Sequence, residues 1–166
     1  MDKSFRDNSS QFFIAGELCR RGYSAVVTQG NAPNTDIYVS CSNLEGTKFV
    51  HLQVKTFVPT DKTCSVGIKA EKDYGKNFFW ILGGIPRPED IDSDFVYYII
   101  PSQVISENIK RIHLNLMSTS AKDQLQNNDL TIRTVDIPPY KNCQENLQWD
   151  ITPFKNRWDL IAEELD

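Results

Sequence analysis

The chain has 166 residues, a formal net charge of −4 and 40% hydrophobic residues, a composition that predicts one globular domain over residues 1–166. No apolar run approaches the length of a membrane span, and the polar start "MDKSFRDN" lacks the pattern of a signal peptide. The four cysteines are scattered without a CxxC pair, which argues against a zinc site and for reduced thiols. We therefore expect a cytoplasmic protein.

The first predicted element is a helix from about Ser9 to Arg21. Asn8 or Ser9 would cap its N-terminus, and Gly22 would end it. Apolar side chains at helical spacing form one arc of this helix, and Glu17 lies outside that arc.

Strand-like segments joined by short turns come next. Short connections of this kind favour an antiparallel meander over crossovers. In the third segment, "KFVHLQVKTF", alternation places His51, Gln53 and Lys55 on the face opposite to the aliphatic residues. The segments of the meander are residues 23–29, 36–42 and 48–57.

The second half of the chain predicts two strands that are covered on both faces, because residues 77–85 and 95–101 are almost continuously apolar. A helix from Ser102 to Met117 follows the second of them. The remaining predictions are a short strand at 64–70, a loop at 118–129, an edge strand at 130–137 and a tail at 138–166 that packs back onto the domain and ends in a short helix. The order of these helices and strands predicts an α+β fold.

Asp36 and Gln53 stand on neighbouring antiparallel strands of this meander. Pairing about the turn at 43–46 would bring them within roughly 5–8 Å of each other. A carboxylate and an amide carbonyl are oxygen ligands suited to Mg²⁺. Lys55, on the same face as Gln53, could orient an attacking water or offset charge on a phosphoryl oxygen.

These residues carry a resemblance to a known family. The stretches "GELCRRGY", "NTDIYV" and "HLQVKT" resemble the PD-(D/E)xK nuclease superfamily, above all small bacterial members with a "QVKT" strand. The resemblance implies a restriction-endonuclease-like α-β-β-β-α-β core, with a central mixed sheet flanked by helices. It also implies that Asp36 and Gln53 bind Mg²⁺ or Mn²⁺, that Lys55 is the catalytic lysine, and that Glu17 is an accessory acid near the metal.

Two residues depart from the family pattern. Thr35 stands where the superfamily has proline, and Gln53 replaces the usual acid. An amide keeps an oxygen in place but removes a negative charge, so the site should hold a divalent ion less tightly.

The residues leave two functions open. The first is metal-dependent hydrolysis of nucleic acid, DNA or alternatively RNA, in which a homodimer would serve cleavage of both strands. Lysines between Lys48 and Lys76 form a candidate patch for phosphates despite the acidic total. The second is a non-catalytic module of nuclease fold that binds a protein or nucleic-acid partner. No Walker loop, GxSxG or HExxH motif points to other chemistry.

Overall fold

The chain begins with an α-helix, continues with a long run of strands, and ends with two more α-helices separated by a short strand, in so far as it is described. The computed structural model describes residues 2–28, 32–90, 92–118, 132–140 and 148–166. No helix in these ranges is long and apolar enough to cross a membrane. The elements are α1 (Lys3–Arg20), β1 (Ser24–Val27), β2 (Ile37–Asn43), β3 (Gly46–Phe57), β4 (Thr63–Ser65), β5 (Phe78–Gly84), β6 (Val96–Pro101), α2 (Ser102–Ser118), β7 (Thr134–Asp136) and α3 (Asp159–Leu165).

The central sheet has five strands in the order β1-β2-β3-β5-β6. The predicted meander is confirmed, because β1, β2 and β3 pair antiparallel. Strand β5 runs parallel to β3 and β6 runs antiparallel to β5, so the sheet is mixed as expected. The crossover from β3 to β5 consists of β4 and a 3₁₀ helix at Ile68–Glu71, where the α-β-β-β-α-β order has an α-helix.

Helix α1 begins earlier than the sequence predicted. Its N-cap is Asp2, whose carboxylate accepts a hydrogen bond from the backbone N–H of Ser4 at 2.8 Å. This cap satisfies one of the unpaired N–H groups of the first turn, so the helix extends over the polar residues before Ser9. Its end is as predicted, because Gly22 adopts a φ of +97° and donates to the carbonyl of Cys19.

Two other predicted strands are shorter than expected. The segment at 64–70 is extended only as far as Ser65, because Gly67 turns the chain with a φ of +75° into the 3₁₀ helix. The segment at 130–137 contributes only β7, which pairs with β4 in a separate two-stranded sheet. The loop predicted at 118–129 lies outside the described residues, apart from Ser118 at the end of α2.

Hydrophobic cores lie on both faces of the central sheet. The first core packs α1 and α3 against β2, β3, β5 and β6, and α3 brings Trp158, Ile161 and Leu165 of the tail into it. The second core packs α2, β4 and β7 against β5, β6 and the end of β3. Among the described residues, no side chain of β1 or β2 belongs to the second core, so that half of the face is open.

Candidate functional site

Asp36 lies immediately before β2, where the pairing of β2 with β3 comes to an end. Its backbone is held on both sides, because its N–H donates to Leu52 at 2.8 Å and its carbonyl accepts from the N–H of Thr28 at 2.9 Å. Among the described residues, no strand pairs with β3 on that side beyond this point. The Asp36 carboxylate takes the partner's place and accepts the N–H of Val54 at 2.7 Å.

Gln53 and Lys55 come from the alternation of β3. Val54 points into the first core, while Gln53 and Lys55 point to the opposite face, as the sequence predicted. Gln53 is buried beside Trp80 of the parallel neighbour β5, and its amide N–H₂ donates to the Asp36 carboxylate. We call Asp36, Gln53 and Lys55 the site cluster.

The site cluster lines an open cleft of about 450 Å³. Thr35, Lys69 and Trp80 are among the other residues of its wall. Lys55 also borders a second cavity, of about 300 Å³, together with Asp7 of α1. The lysine therefore lies between two depressions and is accessible from both.

Burial raises the pKa of the Asp36 carboxyl above its ordinary value. The Val54 N–H, the charge of Lys55 and the Gln53 amide act in the opposite direction, whereas the negative charge of Asp7 raises the pKa further. A partly buried carboxylate with a second acid nearby gains from a cation, because the cation compensates both the lost hydration and the repulsion.

The donor set fits a hydrated Mg²⁺ better than a metal enclosed by protein ligands. Within the described ranges, the two hydrogen bonds to the Asp36 carboxylate both go to Oδ2, so Oδ1 is available to a cation. Gln53 would have to rotate its amide, because Nε2 faces Asp36. Within the part of the chain that the structure describes, no group of three or more His, Cys, Asp and Glu residues is placed to hold a metal. Mg²⁺ commonly takes one or two protein ligands and completes its shell with water and phosphate.

The structure does not bring Glu17 to the site cluster. Its carboxylate forms ion pairs at 2.8 Å with Arg20 and with Arg21 on its own helix end. The hydrogen bond from Arg20 is the main reason why the pKa of Glu17 falls to about 2. This arrangement agrees with an ordinary helix-surface ion pair, and the accessory role implied by the resemblance stays a prediction.

Asp7 is the acid of α1 that lies beside the site cluster, and the sequence prediction missed it. Its carboxylate accepts a hydrogen bond from the hydroxyl of Thr56. The same hydroxyl oxygen accepts a hydrogen bond from Arg6 Nε at 3.2 Å. Because a helix rises about 1.5 Å per residue, Glu17 lies roughly 15 Å further along α1 than Asp7. The signal that could have revealed Asp7 is Asp2, an N-cap residue type that allows α1 to start before Asp7.

Fold and site together define a protein with an endonuclease-like α+β fold. The chain is similar to the solved structure of a bacterial homing endonuclease, I-Ssp6803I, with a TM-score of 0.52 at 11% sequence identity. The match covers 98% of this chain and 95% of that chain. No protein-family model matches the chain, and no curated protein matches it. At this identity the likeness shows the shared fold.

Proposed function

We propose that this protein is a nuclease of the PD-(D/E)xK type that hydrolyses phosphodiester bonds with the help of Mg²⁺ or Mn²⁺. One observation carries the proposal. Asp36, Gln53 and Lys55, in the order that the superfamily motif requires, line one wall of a single open cleft. The endonuclease-like fold supports the same conclusion independently of the motif.

Asp36 and Gln53 would hold the ion, Asp36 through Oδ1 and Gln53 through Oε1 once its amide has turned. A divalent ion bound there would polarise the scissile phosphate and lower the pKa of a coordinated water. Lys55 makes no salt bridge with a described residue, so its ammonium group is available to hydrogen-bond a phosphoryl oxygen or to orient the attacking water.

Asp7 would contribute negative charge from the side of α1. Its negative charge is one of the causes that raise the pKa of the Asp36 carboxyl, and Asp7 lines the same cavity as Lys55. A second carboxylate would compensate for the charge that Gln53 lacks, because Mg²⁺ affinity depends on the number of charged ligands. Asp7 is therefore our candidate for the accessory acid.

The substrate of this proposal is nucleic acid, with DNA as the first candidate because the structurally similar protein is a homing endonuclease. Lys55 and Lys69 on the cleft wall would face the phosphates, so an acidic protein can bind the chain through a local cationic patch. Cleavage of both strands of a duplex would favour a homodimer, which supplies one active site for each strand.

The test is incubation of the purified full-length chain with supercoiled plasmid, linear duplex, single-stranded DNA and RNA, each with Mg²⁺, with Mn²⁺ or with EDTA. We expect cleavage in the presence of a divalent ion and none with EDTA. Cleavage that survives EDTA, or that Lys55→Ala leaves at the parental rate, would contradict the proposal. The Lys55→Ala sample also detects a contaminating nuclease, which the substitution would not affect.

A non-catalytic module is the second candidate, and one observation favours it. Gln53 and Val54 both donate to Asp36, so the carboxylate already has a structural role at the end of the sheet without any metal. This reading predicts that Mn²⁺ leaves the melting temperature unchanged. A rise in melting temperature with Mn²⁺ that is absent from Asp36→Asn would exclude it.

A further inference from the structure

An aromatic row runs from the open half of the central sheet to the edge of the second core, next to the site cluster. Tyr38 of β2 is the direct neighbour of His51 in β3, and His51 is the direct neighbour of Phe78 in β5. The ring centroids are 4.8 Å apart for Tyr38 and His51 and 6.5 Å apart for His51 and Phe78. Phe49 extends this row at the surface, with its ring 5.3 Å from that of Tyr38.

This aromatic row (Phe49, Tyr38, His51 and Phe78) runs parallel to the row that contains the site cluster. Gln53 and Trp80 occupy the next positions of β3 and β5 on the same face, and Asp36 lies beside Gln53 just before β2 begins. Two residues along a strand span about 7 Å, so the rings begin one side-chain row away from the proposed metal ligands. A molecule bound at the site cluster would extend onto the rings.

The outer part of the row is accessible. Phe49 is 41% exposed, and Val26 of β1, the direct neighbour of Tyr38, is 58% exposed. Tyr38 and His51 are half-buried. Neither β1 nor β2 contributes a described side chain to the second core, which explains why these rings are left without a covering layer.

Polar and cationic groups border the rings. Ser42 and Thr47 share the face of Tyr38 and Phe49, and their hydroxyl oxygens lie 3.0 Å apart. At the buried end, Tyr74 stacks on Phe78 at 4.5 Å, and Lys72 Nζ lies 5.1 Å from the centre of the Tyr74 ring. Rings flanked by hydroxyls and by the ammonium group of Lys72 suit a ligand that has flat apolar faces, polar edges and negative charge.

We propose that the aromatic row is a stacking surface for unpaired nucleobases next to the phosphate held at the site cluster. Nucleobases in a duplex hide their faces in the helical stack, so only single-stranded or extruded bases can lie on exposed rings of a sheet. The inference rests on the proposed function and specifies its substrate as nucleic acid with unpaired nucleotides beside the cleavage position.

The experiment measures binding apart from cleavage. The full-length protein is titrated in EDTA with fluorescently labelled oligothymidylate and with the same sugar–phosphate chain carrying abasic residues, and anisotropy gives both dissociation constants. Stacking on aromatic side chains contributes about 1–3 kcal/mol per base, so we expect the abasic chain to bind at least about fivefold more weakly. The double variant Tyr38→Ala/Phe49→Ala should lose this difference and bind both chains equally.

Two controls separate stacking from a general loss of structure. Phe12→Ala removes a ring that is 67% exposed on α1, away from the row, and should retain the preference for bases. Tyr38→Phe/Phe49→Tyr keeps both rings and should also retain it. The inference is overturned if the parent binds both chains equally or binds neither. It is also overturned if the alanine variant still prefers the chain with bases. A further contradicting result is an alanine variant that binds both chains as the parent does but has a different mass in sedimentation equilibrium, because the surface would then be a contact between copies of the chain.

The two proposals can fail separately. A preference for bases in a protein that never cleaves would support the stacking surface and contradict the nuclease. Metal-dependent cleavage by a protein without such a preference would support the nuclease and overturn the stacking surface.

Discussion

The Asp36 carboxylate accepts the backbone N–H of Val54 at 2.7 Å, at the point where no described strand pairs with β3 on the side of β2. The residue that we propose as a metal ligand therefore also completes the sheet. Asp36→Ala would remove both roles at once and could not separate them. Asp36→Asn keeps an oxygen that accepts the Val54 N–H, while it removes the charge and replaces the other carboxylate oxygen by an N–H₂ group.

Asp36→Asn should abolish cleavage without destabilising the fold. Burial raises the pKa of this carboxyl, which means that the charged form is disfavoured in the folded state. The neutral amide avoids that cost, so the melting temperature at pH 7 should equal or exceed that of the parent. As pH falls and Asp36 becomes protonated, this advantage should disappear. Thermal unfolding across pH, beside a cleavage assay, measures both effects.

Asp73→Asn is the matched control. This carboxylate also accepts a backbone N–H, from Gly75 at 2.9 Å, but it is exposed and lines neither of the two cavities that Lys55 borders. Cleavage should persist in Asp73→Asn. Equal loss of activity in both variants would show that the effect is not specific to Asp36.

Gln53→Glu should lower the melting temperature without metal and raise it with metal. In EDTA a second carboxylate would lie against Asp36 in a buried position, so the melting temperature should fall below that of the parent. With Mn²⁺ the added charge should tighten binding by about tenfold or more, as measured by calorimetry, and raise the melting temperature. An unchanged metal affinity would count against Gln53 as a ligand.

Lys55→Ala should lower the cleavage rate by about 10²- to 10³-fold, the range expected when one electrostatic stabiliser of the transition state is removed. The comparison is Lys69→Ala, because Lys69 lines the same cleft but lies outside the site cluster. This second variant should weaken nucleic-acid binding and its salt dependence while retaining turnover at saturating substrate. Equal loss of turnover in both variants would show that Lys55 has no special catalytic role and acts as one of several cationic side chains in the cleft.

Asp7→Asn should reduce both cleavage and Mn²⁺ affinity, because it removes the second negative charge near Asp36. The Thr56 hydroxyl can still donate to the amide oxygen, so the contact between α1 and β3 is retained. Calorimetry with Mn²⁺ measures the affinity, and circular dichroism confirms the fold. If metal affinity and cleavage are both unaffected, Asp7 has no part in the site.

Glu17→Gln should leave cleavage unchanged and cost stability that depends on pH. The pKa of Glu17 is lowered from 4.5 to about 2, so its ion pairs contribute fully above pH 4.5 and are lost as pH falls towards 2. Because the side chains of Arg20 and Arg21 are 69% and 37% exposed and solvent screens both ion pairs, we expect a loss below about 1 kcal/mol, or at most about 4 °C in melting temperature. If Glu17→Gln lost cleavage while Asp7→Asn remained active, Glu17 rather than Asp7 would be the accessory acid that the motif implies.

Local patterns were sufficient to predict most of the sheet. Alternation in β3 correctly placed Gln53 and Lys55 opposite the aliphatic core, and the short turns correctly predicted the antiparallel meander. Both signals depend on residues that are close in sequence. The site cluster follows from them, because Asp36 and Gln53 belong to adjacent strands joined by one turn.

The parts that were missed depend on longer-range or weaker signals. A polar first turn has no apolar periodicity, so the early start of α1 rests on the single Asp2 cap, and Asp7 was missed with it. Gly67 ended the predicted strand at 64–70 through a φ of +75°, which periodicity does not reveal. The aromatic row joins residues of β2, β3 and β5, and only the strand register brings them together.

The most direct test of the metal-dependent site is a crystal structure with Mn²⁺, with anomalous diffraction recorded at the manganese edge. Our account predicts a peak bonded to Oδ1 of Asp36 and to the amide oxygen of Gln53, whose side chain has turned from its present hydrogen bond. Asp36→Asn crystals treated in the same way should lack the peak. The account would be contradicted if crystals at saturating Mn²⁺ showed no peak beside Asp36, or if the Gln53 nitrogen still donated to Asp36 in them.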